Sequence, residues 1–97
     1  MKGGWVYILA SRYRGTIYIG VTANLVQRIA RHRDGKGSEF SARYGTTRFV
    51  HAEEYPTIEE AIAREKALKK WRRAWKVNLI ETGNPDWDDL YDHLIGL

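Results

Sequence analysis

Glu65 is the residue of this sequence whose position most needs a chemical reason. On an ideal helix, at roughly 100° per residue, it falls about 40° from Ala61. That places it between an edge carrying Leu68 and Trp75 and an edge carrying Ile58 and Ile62, where the core or its rim should be. A carboxylate is costly to bury unless it is paired, protonated or bound to a cation. An ion pair with a first-helix arginine or a neighbouring lysine would meet that need, and so would a metal ion. Arg28 and His32 form a second group. They stand four apart on one helix face, with Asn24 a turn earlier. A guanidinium grips phosphate through two parallel hydrogen bonds, and an imidazole moves protons near neutral pH. Tyr7 and Tyr18 are the third group, two phenols on neighbouring strands. Taken singly, each group also has a plain reading: an ion pair, a solvated helix face, or packing.

The elements that must position these residues are short. Trp5–Ala10 and Thr16–Val21 are rich in aromatic and β-branched residues, and the polar segment 11–15 ends in Gly15, which predicts a hairpin. Alternation puts Tyr7 with Trp5 and Leu9, and Tyr18 with Gly20, while Ile17, Ile19 and Val21 line the opposite face. Gly20 leaves room for a close approach. Thr22 is the expected cap of a helix running to about Arg33, with Leu25, Val26, Ile29 and Ala30 as its apolar stripe and Asp34-Gly35 as its end. Residues 35–44 read as a basic, glycine-containing loop, and 47–55 as a third strand closed by Pro56. Thr57-Ile58-Glu59-Glu60 is a capping box that opens a long helix. Helix continues or restarts around Lys76 as far as Glu81, Gly83 suits a C-terminal cap, and Asp86 is placed to cap a last short helix ending near Ile95. The expected fold is α/β (α+β): a small three-stranded antiparallel sheet flanked by helices, in the order β-β-α-β-α-α.

The 97 residues leave room for one domain with a modest core, which the 43% hydrophobic content can fill. There is no cysteine, so thiolate metal sites, disulfides and cysteine nucleophiles are excluded. The apolar run at 5–10 is too short for a membrane span, and a cytoplasmic protein with no membrane partner is expected. Residues 1–50 carry nine Lys/Arg against two acids, +7, whereas 51–97 carry seven against ten, −3. The basic half suits a polyanion.

Together the residues form a pattern that resembles the GIY-YIG nuclease family, in particular its compact single-domain bacterial members, over nearly the whole chain. Trp5-Val6-Tyr7 stands for the first motif element and Tyr18-Ile19-Gly20 for the second. Residues 20–32 are similar to the family's G-x-T-x-[ND]-L-x-x-R-x-x-x-H, and Glu65 falls where the family keeps its metal-binding Glu. Asn84-Pro85-Asp86-Trp87 with Asp89-Leu90 resembles the ending of the small bacterial group. Trp5 departs from the glycine of the name motif. Asn78 lies closer in spacing to Glu65 than Asn84 does, so the site asparagine is open between the two.

The resemblance implies a metal-dependent endonuclease related to the nuclease domain of the repair excinuclease C subunit, cutting nucleic acid, DNA first. It implies Glu65 as ligand to one Mg²⁺ or Mn²⁺, and Tyr7 as general base or relay. Arg28 would then be the phosphate clamp, Tyr18 a positioning group, His32 an aid to proton movement, and Asn84 a support of the site. Arg31, Lys36, Arg43 and Arg48 are the phosphate-contact candidates of the basic half. No separate sequence reader is visible, which implies structure- or partner-directed cutting of low sequence specificity, with a protein partner for targeting as one route. The alternative is a nucleic-acid-binding module that keeps the fold without cutting.

Overall fold

The computed structural model describes residues 3–96. Its strands are β1 (Gly4–Ala10), β2 (Ile17–Thr22) and β3 (Arg48–Tyr55), and its helices are α1 (Leu25–Arg33), α2 (Glu39–Tyr44), α3 (Ile58–Lys70), α4 (Arg73–Gly83) and α5 (Tyr91–Leu94). The strands form an antiparallel sheet in the order β2-β1-β3. The expected β-β-α-β-α-α succession is present, with one helix that was not anticipated.

β1 is the central strand, and Val6 through Ala10 are all buried because both faces of the sheet are covered. Against one face, Val6, Ile8, Ala10 and Ile19 meet Ala61 and Leu68 of α3, Ile80 of α4, and Trp87. Against the other, Tyr7 and Leu9 meet Leu25 and Ile29 of α1, with Phe49 of β3. The alternation read from the sequence is therefore the real division of the core, and it puts Tyr7 and Tyr18 on the α1 side.

Local chemistry sets the element ends. The cap of α1 is Asn24, not Thr22: its side chain accepts from the Gln27 amide, while the Thr22 hydroxyl accepts from the Asn24 amide. A second residue is thus recruited to the turn ahead of the helix. Asp34 and Gly35 end α1 as expected, Gly35 at φ +76°. Val26 is 44% exposed, so the stripe of α1 is narrower than expected. The supposed loop 35–44 contains α2, capped by Ser38 through the Ser41 amide and closed by Gly45 in the left-handed region. The Thr57 hydroxyl accepts from the Glu60 amide and opens α3 as the capping box requires. α3 stops at Lys70, Trp71 and Arg72 are extended, and helix resumes at Arg73 rather than near Lys76.

The C-terminal turn also differs from expectation. Gly83 is the last residue of α4 and Asn84 the cap. Asp86 caps nothing, and α5 begins only at Tyr91. The reason lies in Trp87, fully buried at φ +57°, a strained conformation for a bulky residue. The surroundings hold it there: its indole donates to Glu81 at 2.7 Å, and its amide donates to the Asn84 carbonyl at 3.1 Å.

Candidate functional site

The register of the hairpin sets Tyr7 opposite Gly20 and Tyr18 opposite Leu9, so the two tyrosines are diagonal neighbours on one face. Their ring centroids are 6.2 Å apart. A Cβ at position 20 would overlap the Tyr7 ring, so only glycine lets that ring lie across β2. α1 delivers His32 into the same place. Its Nε2 is 2.9 Å from the Tyr7 hydroxyl, and its ring centroid lies 5.5 Å from Tyr7 and 5.1 Å from Tyr18. His32 is buried because Gly37, in the turn after α1, packs directly against its ring and would collide with it if it carried a Cβ. The His32 Nδ1 has no hydrogen-bond partner among the described residues.

Arg28, one turn before His32, is half-buried, and its contact with a backbone acceptor is a long one, 3.5 Å to the Gly37 carbonyl. Its guanidinium opens into a polar hollow of about 350 Å³ lined by Thr22, Asn24, Gln27, Arg28 and Arg31. Glu65 reaches the group from α3. Its side chain is 14% exposed, its carboxylate is 3.4 Å from the Lys69 ammonium, and its charge acts through space on the Tyr7 phenol. The pairing with a neighbouring lysine is therefore real, though a single contact. Arg64, the adjacent cation on α3, is committed elsewhere: it holds Glu53 through two hydrogen bonds of 2.8 and 3.2 Å. Burial works against that carboxylate, but hydrogen bonds from Arg64, His51 and Tyr55 outweigh it and hold Glu53 at about 2.

The electrostatics of the pair at the centre are opposed. Burial, then the neighbouring Tyr18, pushes the Tyr7 phenol well above its usual range, and Arg28 pulls it back only in part. Tyr7 is therefore a neutral hydroxyl at pH 7, and the expectation that nearby cations bring it down to a working base does not hold for these protein charges alone. Burial, and then Arg28, pushes His32 down to about 4. His32 is neutral, with its Nε2 facing a hydroxyl that can hand it a proton.

A stability effect follows. The unfolded chain takes up a proton at His32 near 6.5, whereas the folded chain resists until about 4. Stability held above pH 6.5 is lost as pH falls from there toward 4, by roughly 3 kcal/mol. Urea unfolding at pH 7 and pH 4.5 checks this. The wild type loses stability over that interval, and His32→Gln shows a distinctly shallower pH dependence.

The structure thus gathers Tyr7, Tyr18, Arg28, His32 and Glu65 and leaves Asn84 apart. The Asn84 carboxamide is engaged at the β3 edge: its Nδ2 donates to the carbonyls of Val50 (3.2 Å) and Asp88 (2.9 Å), and its Oδ1 accepts from the Asp88 amide at 3.0 Å. Asn78, exposed on α4, lines a separate groove with Trp71 and Trp75. Of the basic candidates, Arg31 shares the hollow of Arg28. Lys36 and Arg43 are exposed between α1 and β3, Arg43 lying over the Tyr44 ring at 5.7 Å. Arg48 is tied to the Trp87 carbonyl at 3.1 Å. Two neighbours of the site are not evident from the sequence, Gly37 and Phe40, whose ring stands 5.9 Å from Tyr18, while Lys69 is the neighbouring lysine expected beside Glu65. Ser38 before Glu39 and Gly45 after Tyr44 are the signal that could have revealed the helix carrying Phe40.

Among the described residues no three of His, Cys, Asp and Glu gather as a metal-ligating cluster, and no helix is long and apolar enough to cross a membrane. The donor set still fits a hard divalent cation of the Mg²⁺ kind, which is commonly held by one or two carboxylates, with water and phosphate oxygens completing its shell. Glu65, half-buried and close enough for its charge to act on the Tyr7 phenol, is a carboxylate that could serve in such a set.

Comparison with known proteins identifies the family. Residues 3–78 match the model of the GIY-YIG catalytic domain. Among curated relatives, a UPF0213 protein of Staphylococcus epidermidis is 30% identical over 83 residues, covering 86% of this chain and all of that protein. A UPF0213 protein of Syntrophus aciditrophicus is 33% identical over 87 residues, covering 89% of this chain and 98% of the relative. Another, of Clostridium perfringens, is 35% identical over 78 residues, covering 80% and 83%. No solved structure matches the chain significantly. With the match covering both tyrosine motifs, the Arg28-His32 helix and the Glu65 helix, the chain belongs to the GIY-YIG family of nuclease catalytic domains.

Proposed function

We propose that this chain is a divalent-metal-dependent endonuclease that hydrolyses phosphodiester bonds in DNA, and that Tyr7, Tyr18, Arg28, His32 and Glu65 carry the reaction. The observation that supports it most is the hydrogen bond of 2.9 Å between the Tyr7 hydroxyl and the neutral His32 Nε2, set beside a guanidinium with no carboxylate partner among the described residues. A phenol held in its neutral form is a poor base by itself, but as a relay it needs no low pKa. As water adds to phosphorus and the bond to the leaving oxygen breaks, the water proton passes to Tyr7 Oη and the leaving oxygen takes a proton from solvent water. The Tyr7 proton passes in turn to His32 Nε2. Arg28, with Arg31 beside it, receives the phosphate oxygens whose charge grows in the transition state. Tyr18 packs against both Tyr7 and His32 and holds their rings in register. Glu65 would hold Mg²⁺ or Mn²⁺, which when bound polarises the phosphate and lowers the pKa of water.

Asn84 in this reading supports the fold of the C-terminal turn and touches no substrate. Lys36 and Arg43 are outer phosphate contacts, and Arg48 serves the turn at Trp87. In this reading cutting is directed by DNA structure or by a partner, with low sequence specificity. The test is incubation with branched, nicked, single-stranded and duplex DNA in Mg²⁺ or Mn²⁺, with and without a chelator. Metal-dependent nicking of at least one substrate is expected. Salt-sensitive binding without any cutting would favour the plain binding module instead.

A further inference from the structure

Beside Tyr18 lies a cleft of about 300 Å³ that the reaction described above does not use. Its lining is Ile17, Tyr18 and Ile19 of β2, Phe40 of α2, and Lys69 and Lys76 from the two sides of the α3–α4 break. One wall is aromatic. Phe40 is 43% exposed, its ring stands 5.9 Å from Tyr18 at 32° and 4.7 Å from Tyr44, and Tyr44 is itself 48% exposed. A large apolar ring so exposed, continuing a ladder that starts at Tyr18, offers a flat face left open by the described residues. The facing wall is cationic. Lys69, more than half exposed, divides its ammonium between Glu65 and the cleft, and Lys76 is braced by a long contact of 3.5 Å to the Lys69 carbonyl. Among the described residues no acidic side chain lines the cleft.

An aromatic face opposite two ammoniums is the pairing that recognises a nucleotide: a base on the ring, phosphate on the cations. A cleft of this volume lies at the lower end of small-ligand sites, the scale of one residue of a polymer rather than of a duplex. We propose that it is the subsite for the nucleotide next to the scissile phosphate, its base splayed onto Phe40 and its backbone phosphates held by Lys69 and Lys76. The proposal rests on the nuclease reading for the position of the scissile phosphate. It adds a residue that grips substrate from α2 and two from the second, acidic half of the chain. Segments 35–44 and 69–76 thereby become opposite sides of one strand path.

The experiment uses the full chain and a DNA oligonucleotide carrying 2-aminopurine at the position flanking the cut, with binding read by anisotropy and stacking by quenching. Glu65→Gln in every arm keeps the probe intact, and parallel cleavage assays retain Glu65. Phe40→Leu is expected to weaken binding about tenfold and to abolish quenching, while Phe40→Trp keeps both. Lys76→Ala is expected to reduce the salt dependence of binding by about one released ion. In cleavage, both Phe40→Leu and Lys76→Ala should raise KM with little change in kcat. Phe40 is exposed and Lys76 half-buried, and an unchanged thermal melt verifies each variant's fold. Quenching, affinity and KM that stay at wild-type values in Phe40→Leu and Lys76→Ala would overturn the subsite while wild-type cutting left the nuclease reading standing. Phe40-dependent quenching in a chain that cuts no DNA would leave a nucleotide-binding cleft but overturn its placement beside a scissile phosphate, together with the nuclease reading.

Discussion

Tyr7→Phe is expected to slow DNA cleavage by about a hundred- to ten-thousand-fold, the range that a positioned proton-transfer group contributes. The substitution removes one oxygen and keeps the ring that packs over Gly20 and against Tyr18, so the sheet is undisturbed. It does remove the partner of His32 Nε2, leaving an imidazole buried with neither nitrogen bonded. That costs about 1–3 kcal/mol of stability. Single-turnover cleavage, measured well below the melting temperature of the variant, separates the two effects. A Tyr7→Phe protein that cuts at the wild-type rate would take Tyr7 out of the proton path, whatever happens to its stability.

Arg28→Ala is expected to cost about a hundred- to a thousandfold in rate, the scale of losing one preorganised partner of transition-state charge. Lysine at this position should restore little, because a single ammonium cannot make the two parallel bonds of a guanidinium. A second readout does not depend on activity at all. Arg28 helps to hold His32 down near 4, so its removal should move the His32 titration upward, visible by NMR of the imidazole protons. An unmoved His32 titration would mean that Arg28 is not directed at the site.

These expectations were only partly visible in the sequence, for reasons that differ residue by residue. Strand period and hairpin spacing are local properties, and they sufficed to put Tyr7 and Tyr18 on one face. Glu65 was legible because a carboxylate on an apolar helix face is a conflict that periodicity exposes. His32 was readable as the neighbour of Arg28, but its burial was not. That depends on Gly37, which folds back across the ring from five residues away and whose role emerges only when the turn is closed. α2 is hard to foresee because two glycines, Gly35 and Gly37, stand ahead of only six helical residues, although Ser38 and Gly45 mark its ends. The break at Trp71-Arg72 carries no proline or glycine, and nothing in the local sequence announces it. Asn84 shows the reverse: a motif position legible in the sequence turned out to have its carboxamide engaged by Val50 and Asp88, where it stabilises the turn that holds Trp87 at positive φ.

The single-turnover cleavage rate of Glu65→Gln in saturating Mg²⁺ or Mn²⁺, on a substrate that the wild type cuts, tests most directly whether these side chains make one metal-dependent site. Glutamine keeps the shape of the side chain and removes the charge that would hold the cation. The rate should fall by at least about a hundredfold with the thermal melt little changed. Cleavage at the wild-type rate by the folded variant would contradict the assignment, because the metal would then have to be held somewhere other than beside Tyr7.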